Sequence, residues 1–256
     1  MSTWRFQLRS RSEEPVDGSV IQHQQLQAMS PKDVERIPIL VDGRTLALAD
    51  VFQVTHQASH VDQIVVAGEL TSVHGLGTGH DSGEFVIDGD AGDHVGSRMS
   101  GGTLHVAGSV GNHLAAPAGG HRLGMTGGRL VVDGDAGHFA GHRMRRGTVW
   151  INGNVGDHLG GAMIAGTIIV AGDFGAGSGL AMQRGTLIVA KPDERSWPQP
   201  RFSRPVRFNA SFLKLLRPFV PASHRSDKLI DQLVVDCTRV RGDRCVGGQG
   251  EILMPG

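Results

Sequence analysis

The sequence predicts an all-β chain: a single-stranded β-helix, or β-solenoid, with 19-residue coils and mixed α/β flanks as caps. Three observations lead there. Glycines recur at a fixed interval, each interval closes on a period-2 aliphatic pair, and no interval holds a ten-residue run free of glycine. The first two signals indicate strands joined at corners, and the third excludes helical repeats.

Composition sets the outer limits. A length of 256 residues allows one or two domains, and an apolar fraction of 39% is enough for a sizeable core. Twenty-five acids balance twenty-five bases, so no global field recruits nucleic acid or an anionic membrane. Two cysteines, Cys237 and Cys245, cannot build a disulfide framework or ligate a four-cysteine cluster. Arg239, Arg241 and Arg244 lie near them and could lower a thiol pKa, but two such thiols in a reducing compartment are read as inert. The stretch MSTWRFQLRSRSEE is charged throughout and does not read as an export signal. The longest apolar run, Ala162–Gly172, is far short of the ~20 residues of a membrane span, and a cytoplasmic protein is expected.

The repeat is anchored on Gly89, Gly108, Gly134, Gly153 and Gly172, at spacings of 19, 26, 19 and 19. Ten residues on stand Met99, Met144, Met163 and Met182, with Met125 in that place after an insertion. Three residues beyond each methionine comes a glycine: Gly102, Gly128, Gly147, Gly166 or Gly185. The aliphatic pairs follow, Leu104/Val106, Leu130/Val132, Val149/Ile151, Ile168/Val170 and Leu187/Val189, and a degenerate copy runs from Gly68 to Gly89. The methionines and aliphatics are expected as interior ladders, with the glycines supplying positive φ at corners.

Polar residues also form columns. Offset 4 from the anchor carries Asp93, Asn112, His138 and Asp157; offset 5 carries His94, His113 and His158, with Phe139 and Gly177 in the remaining copies. Stacked histidines project in parallel rather than converging on a metal, so a solvated or partner-facing ladder is expected. Asp88, Asp90 and Asp93 lack the glycine and glutamate of a calcium loop, and GDAGDHVG fits neither phosphate-binding loop pattern. No catalytic, cofactor-binding or metal residue is predicted.

Three regions follow: 1–64 as an N-terminal cap and edge segment, 65–190 as the β-helix repeat, and 191–256 as a C-terminal arm with a capping helix. In the first, Pro31–Arg36 reads as a helix capped by Ser30, and Arg44–Thr55 as a strand. In the last, prolines at 192, 198, 200 and 205 precede Ser211–Phe219, where helical spacing aligns Phe212, Leu215, Leu216 and Phe219. The 26-residue copy carries seven extra residues around Ala115–Gly124, within AAPAGGHRLGMT. Insertions in solenoids leave as loops on a face often used for binding, so Pro117, His121 and Arg122 are candidate partner contacts.

The column pattern, the FLKLL stretch (Phe212–Leu216) and the closing GGQGEIL (Gly247–Leu253) together resemble one family. This is the third, β-helical subunit of formylmethanofuran dehydrogenase and of its bacterial relative, the formyltransferase/hydrolase complex. The resemblance covers about residues 40–256, and the repeat by itself is also similar to the C-terminal domain of the glutamate synthase large subunit. Similarity to the β-helical subunit implies a non-catalytic scaffold in one-carbon metabolism. Its partners would be a formyltransferase subunit and amidohydrolase-like subunits, which move a formyl group from formyl-tetrahydromethanopterin to a methanofuran-type carrier and hydrolyse it to formate. The carrier, tetrahydromethanopterin and catalytic metal ions would then sit on those partners, with no cofactor on this chain. Two alternatives stand beside it: a hexapeptide-type β-helical transferase, and a detached glutamate-synthase-like domain.

Overall fold

A computed structural model describes residues 1–190, 200–219 and 224–256 of the chain. The prolines at 192 and 198 and the side chain of Phe219 lie outside the described residues.

The N-terminal region opens with β1 (Ser2–Leu8), which buries alternate residues Trp4, Phe6 and Leu8 as a half-buried strand should. After β2 (Val16–Asp17) come the short helices α1 (His23–Leu26) and α2 (Pro31–Glu35). The second starts as expected, with the Ser30 side chain accepting from the Asp33 N–H. Strands β3 (Pro38–Val41) and β4 (Arg44–Ala47) form a hairpin, helix α3 (Leu48–Val51) follows, and β5 (Phe52–Ala58) closes the region. The run Arg44–Thr55 is therefore two strands and a helical turn rather than one strand. Its halves serve different sheets, β4 pairing with β3 in a four-stranded sheet and β5 with β1 in the large one.

The repeat then supplies β6 (Gln63–Ala67), β7 (Val73–His74), β8 (Glu84–Asp88), β9 (Thr103–Val106), β10 (Arg129–Val132), β11 (Thr148–Ile151), β12 (Thr167–Val170) and β13 (Thr186–Val189). Strands β6 and β8 to β13 pair in parallel, each with the next in the chain, and equivalent residues face one another: Leu104 with Leu130, Val149, Ile168 and Leu187. A second line of parallel bridges runs through Leu70, Ala91, Val110, Ala136, Val155 and Phe174, so successive copies stack along two lines at once.

Met99, Met125, Met144, Met163 and Met182 all have zero exposure. The glycines three residues later explain why they travel together. Gly147 has φ +104°, and a Cβ built on it would stand 2.8 Å from the Met125 methyl; a Cβ on Gly166 would stand 3.0 Å from that of Met144. Each methionine thus fills the space that the glycine of the next copy leaves bare. In the degenerate copy His80 holds the methionine's place, since a Cβ on Gly102 would lie 2.6 Å from its Nε2, and burial lowers the pKa of this imidazole.

The C-terminal arm adds β14 (Val206–Phe208), a 3-10 helix (Ser211–Phe219), α4 (His224–Val235), β15 (Cys237–Gly242) and β16 (Gly250–Pro255). Strand β16 joins β13 in parallel, and a Cβ on Gly250 would fall 2.6 Å from Met182 Sδ, so the closing GGQGEIL supplies the last member of the glycine column. The helical stripe is corrected. With three residues per turn the 3-10 helix turns Leu213 and Leu216 inward, in line with Ala210, and leaves Phe212 and Leu215 exposed. Together with α4 these residues cover the outer face of the late strands, burying Val131, Trp150, Ile169 and Ile188 in a second apolar cluster.

Asp243 fastens the arm to the end of the repeat. Its carboxylate accepts from the Ala181 and Cys245 N–H groups, each at 2.9 Å, and from Arg201. Burial alone would raise its pKa; the guanidinium and the two backbone donors bring it to about 2 instead.

Twelve of the described strands make one open sheet, with β5 at one edge and β14 at the other, so the chain is mainly β as expected. Met163→Ala should cost ~2–5 kcal/mol in denaturant unfolding as a buried truncation, and Met163→Asp should yield no folded chain. A Met163→Asp protein with wild-type melting would show that this column faces water.

Candidate functional site

The polar columns are engaged before any ligand arrives. Asp93 Oδ1 accepts the Asn112 N–H at 2.7 Å, Asn112 Oδ1 that of His138 at 2.8 Å, His138 Nδ1 that of Asp157 at 2.9 Å, and Asp157 Oδ1 that of Ala176 at 2.8 Å. Asp90, Ser109, Asp135 and Asn154 do the same along a neighbouring corner. These side chains satisfy corner N–H groups that the strand ladders leave unpaired.

Beside them the rings at offset 5 form a continuous stack. His94 and His113 centroids lie 4.8 Å apart, His113 and Phe139 5.2 Å, and Phe139 and His158 4.8 Å, with planes within 12° of parallel. Phe139 therefore continues the column between His113 and His158. All four residues share a positive φ of 61–64°. Their rings lie side by side and converge on no centre, and among the described residues no group of three or more His, Cys, Asp or Glu is placed to hold a metal ion. Burial, then the neighbouring His113, lowers the pKa of His94; burial, then Arg143, lowers that of His142.

The insertion leaves and re-enters the repeat at one point. The Met125 N–H donates to the Ala115 carbonyl at 2.8 Å, and Gly124 and Thr126 rejoin the neighbouring copies through Arg143 and Met99. Ala115 holds φ +57° where other copies have glycine. Two clefts flank the excursion. One, of about 590 Å³, lies between the N-terminal region and the loop, lined by Asp17, Asp42, His74, Thr78 and His94. The other, of about 480 Å³, is lined by His121, Arg122, Ser100 and Thr126, and Arg98 borders both. Of the residues proposed from sequence, His121 and Arg122 share the second cleft, both exposed, whereas Pro117 lines neither.

Arg98 was not singled out in the sequence, yet a signal exists. Arg98 and Arg143, in the copies on either side of the insertion, occupy the place held by Ala162 and Ala181 farther on.

A serine, a histidine and an aspartate also meet away from the insertion. His23 Nδ1 lies 3.2 Å from Ser82 Oγ, and its Nε2 3.2 Å from Asp62. The Ser82 hydroxyl also lies 2.9 Å from Asp81 Oδ1, to which it donates, and the group ties α1 to the repeat. Cys237 is buried, which raises its pKa, and Cys245 is exposed without a thiol partner. Among the described residues no helix is long and apolar enough to cross a membrane.

No family model matches the chain, and no curated protein matches its sequence. Among solved structures, the formyltransferase/hydrolase complex from Methylorubrum extorquens, crystallised with methylofuran, contains a chain that superposes with a TM-score of 0.79 at 27% identity. The match covers 98% of this chain and 99% of that one. The chain is thus the structural counterpart of one component of that complex.

The ring stack makes a pH prediction. With folded-state pKa values of His94, His142 and His80 lowered from 6.5, the unfolded chain takes up protons first on acidification. Their contribution to stability is present above about pH 6.5 and falls away below it. His94→Phe, which copies the ring and backbone already present at Phe139, should fold and lose less melting temperature between pH 7.5 and pH 5 than wild type. An unchanged loss would remove His94 as a source.

Proposed function

We propose that this chain is the β-helical subunit of a formyltransferase/hydrolase complex and serves it as a non-catalytic scaffold. The observation that carries the reading is the end-to-end extent of the match, 98% of this chain and 99% of its counterpart. A detached glutamate-synthase-like domain or a hexapeptide-type transferase would share a repeat core, but neither accounts for both flanks and the insertion.

On this reading residues 1–64 and 191–256 cap the repeat at 65–190. The partners are a formyltransferase subunit and an amidohydrolase-like subunit, working in the cytoplasm on a methanofuran-type carrier. The partners hold the carrier, the tetrahydromethanopterin and the catalytic metal ions. The scaffold contributes geometry: two active sites fixed on one rigid body keep a tethered carrier at high effective concentration between them. The stacked sheet with its two apolar clusters is the rigid body that this reading requires. Docking is assigned to the insertion, whose tip presents His121 and Arg122, with Pro117 stiffening its base.

Two outcomes are expected. The purified chain should neither transfer nor hydrolyse formyl groups and should retain no stoichiometric metal after dialysis, while in native extract it should co-purify with transferase and hydrolase subunits identified by mass spectrometry. Turnover by the isolated chain, or its recovery without those partners, would overturn the scaffold reading. Deleting residues 116–122, so that Ala115 joins Leu123, restores the 19-residue spacing. That variant should keep its melting temperature and lose a partner. Assembly at wild-type affinity would move the docking surface to the flanks.

A further inference from the structure

The cleft between the insertion and the repeat carries charge of one sign. Arg98 and Arg122 line it with His121, Ser100 and Thr126, and no carboxylate side chain is among the lining residues. Asp81, on the copy beneath, accepts from Ser82. The cationic surface continues past the cleft: Arg143, Arg145 and Arg146 are exposed on the copy that receives the returning loop. None of these five arginines makes an ion pair among the described residues, whereas Arg44, Arg201, Arg207 and Arg217 all do. The whole chain is neutral, so the cluster is not a by-product of general basicity.

We infer that this cleft and the arginines beside it bind an acidic segment of a partner protein, with side-chain carboxylates seated on Arg98 and Arg122. Guanidinium forks match carboxylates with paired hydrogen bonds, and the cleft adds the Ser100 and Thr126 hydroxyls. Two features favour a peptide over a lone oxyanion. The cleft holds about 480 Å³, more than a single small oxyanion fills, and the arginines extend beyond it onto the next copy. Clustered unpaired charge of this kind steers encounter and sets which surfaces fit. The inference rests on the proposal that the chain docks partners through its insertion, and it names the chemistry of that contact.

The test needs no partner protein, so it can fail while co-purification succeeds. A fluorescent peptide of four Glu-Gly repeats is titrated with the purified chain and followed by anisotropy, with a Gln-Gly peptide as control. The glutamate peptide should bind, the glutamine peptide should bind about tenfold more weakly or worse, and binding should weaken as salt rises from about 0.05 M to about 0.3 M. Arg122→Gln, on an exposed loop, and Arg98→Gln should each weaken it about fivefold or more, while Arg244→Gln, exposed on the C-terminal arm, should leave it unchanged. Three results would overturn the inference: no binding by the wild-type chain, equal loss with Arg244→Gln, or displacement of the peptide by inorganic phosphate at matching concentration, which would make the cleft a site for a free oxyanion.

Discussion

The close approach of each repeat glycine to the methionine methyl of the preceding copy governs the rest of the molecule. A side chain at Gly128, Gly147 or Gly185 would overlap a methionine and the backbone of the copy beneath, and one at Gly166 would crowd both. That contact exists only if consecutive copies keep the same register, so it ties the glycine column, the methionine column and the aliphatic pairs to one spacing. It also restricts where extra chain can leave. The insertion departs from Ala115 and returns at Met125, residues joined by one hydrogen bond, so the strands on either side keep their pairing.

Around that interior the columns divide the work. Corner side chains accept the next copy's N–H groups, which lets the backbone turn without leaving corner donors unpaired. The residue between the paired aliphatics faces outward, and its character changes along the sheet. His105 is exposed and pairs with Asp133, while Trp150, Ile169 and Ile188 are covered by the C-terminal arm. One motif thus gives a bare outer face at one end and a second core at the other. The insertion lies at the transition, between β9 and β10.

Much of this was legible in the residues. Met, Gly and the aliphatic pair recur at fixed offsets because each meets its own copy one strand away, and such contacts leave a period in the chain. The corner acceptors are visible as a column, but their role is not, because the bond the His138 N–H donates to Asn112 Oδ1 joins residues 26 apart. The 3-10 helix is not legible in the sequence, since FLKLL fits an α-helical stripe equally well, and only the facing strands decide that Leu213 and Leu216 turn inward. The place of His80 is hidden in the sequence because it replaces a methionine in the copy where the pattern is weakest. At the candidate site, the loop's His121 and Arg122 stood out as an interruption, whereas Arg98 sits inside a regular copy and reaches the same cleft only through the fold.

Both ends of the large sheet turn back on themselves. At one, β1 adds in parallel and β5 closes the edge in antiparallel direction with a largely polar, exposed strand; at the other, β15 and the three-residue β14 do the same. A stack of parallel strands left open would template further strands, and identical copies could join head to tail into fibres. The largely polar, exposed β5 and the three-residue β14 are poor templates for such growth. Contact is thereby directed to the flank of the stack, where neighbours are chosen by side chains rather than by backbone pairing.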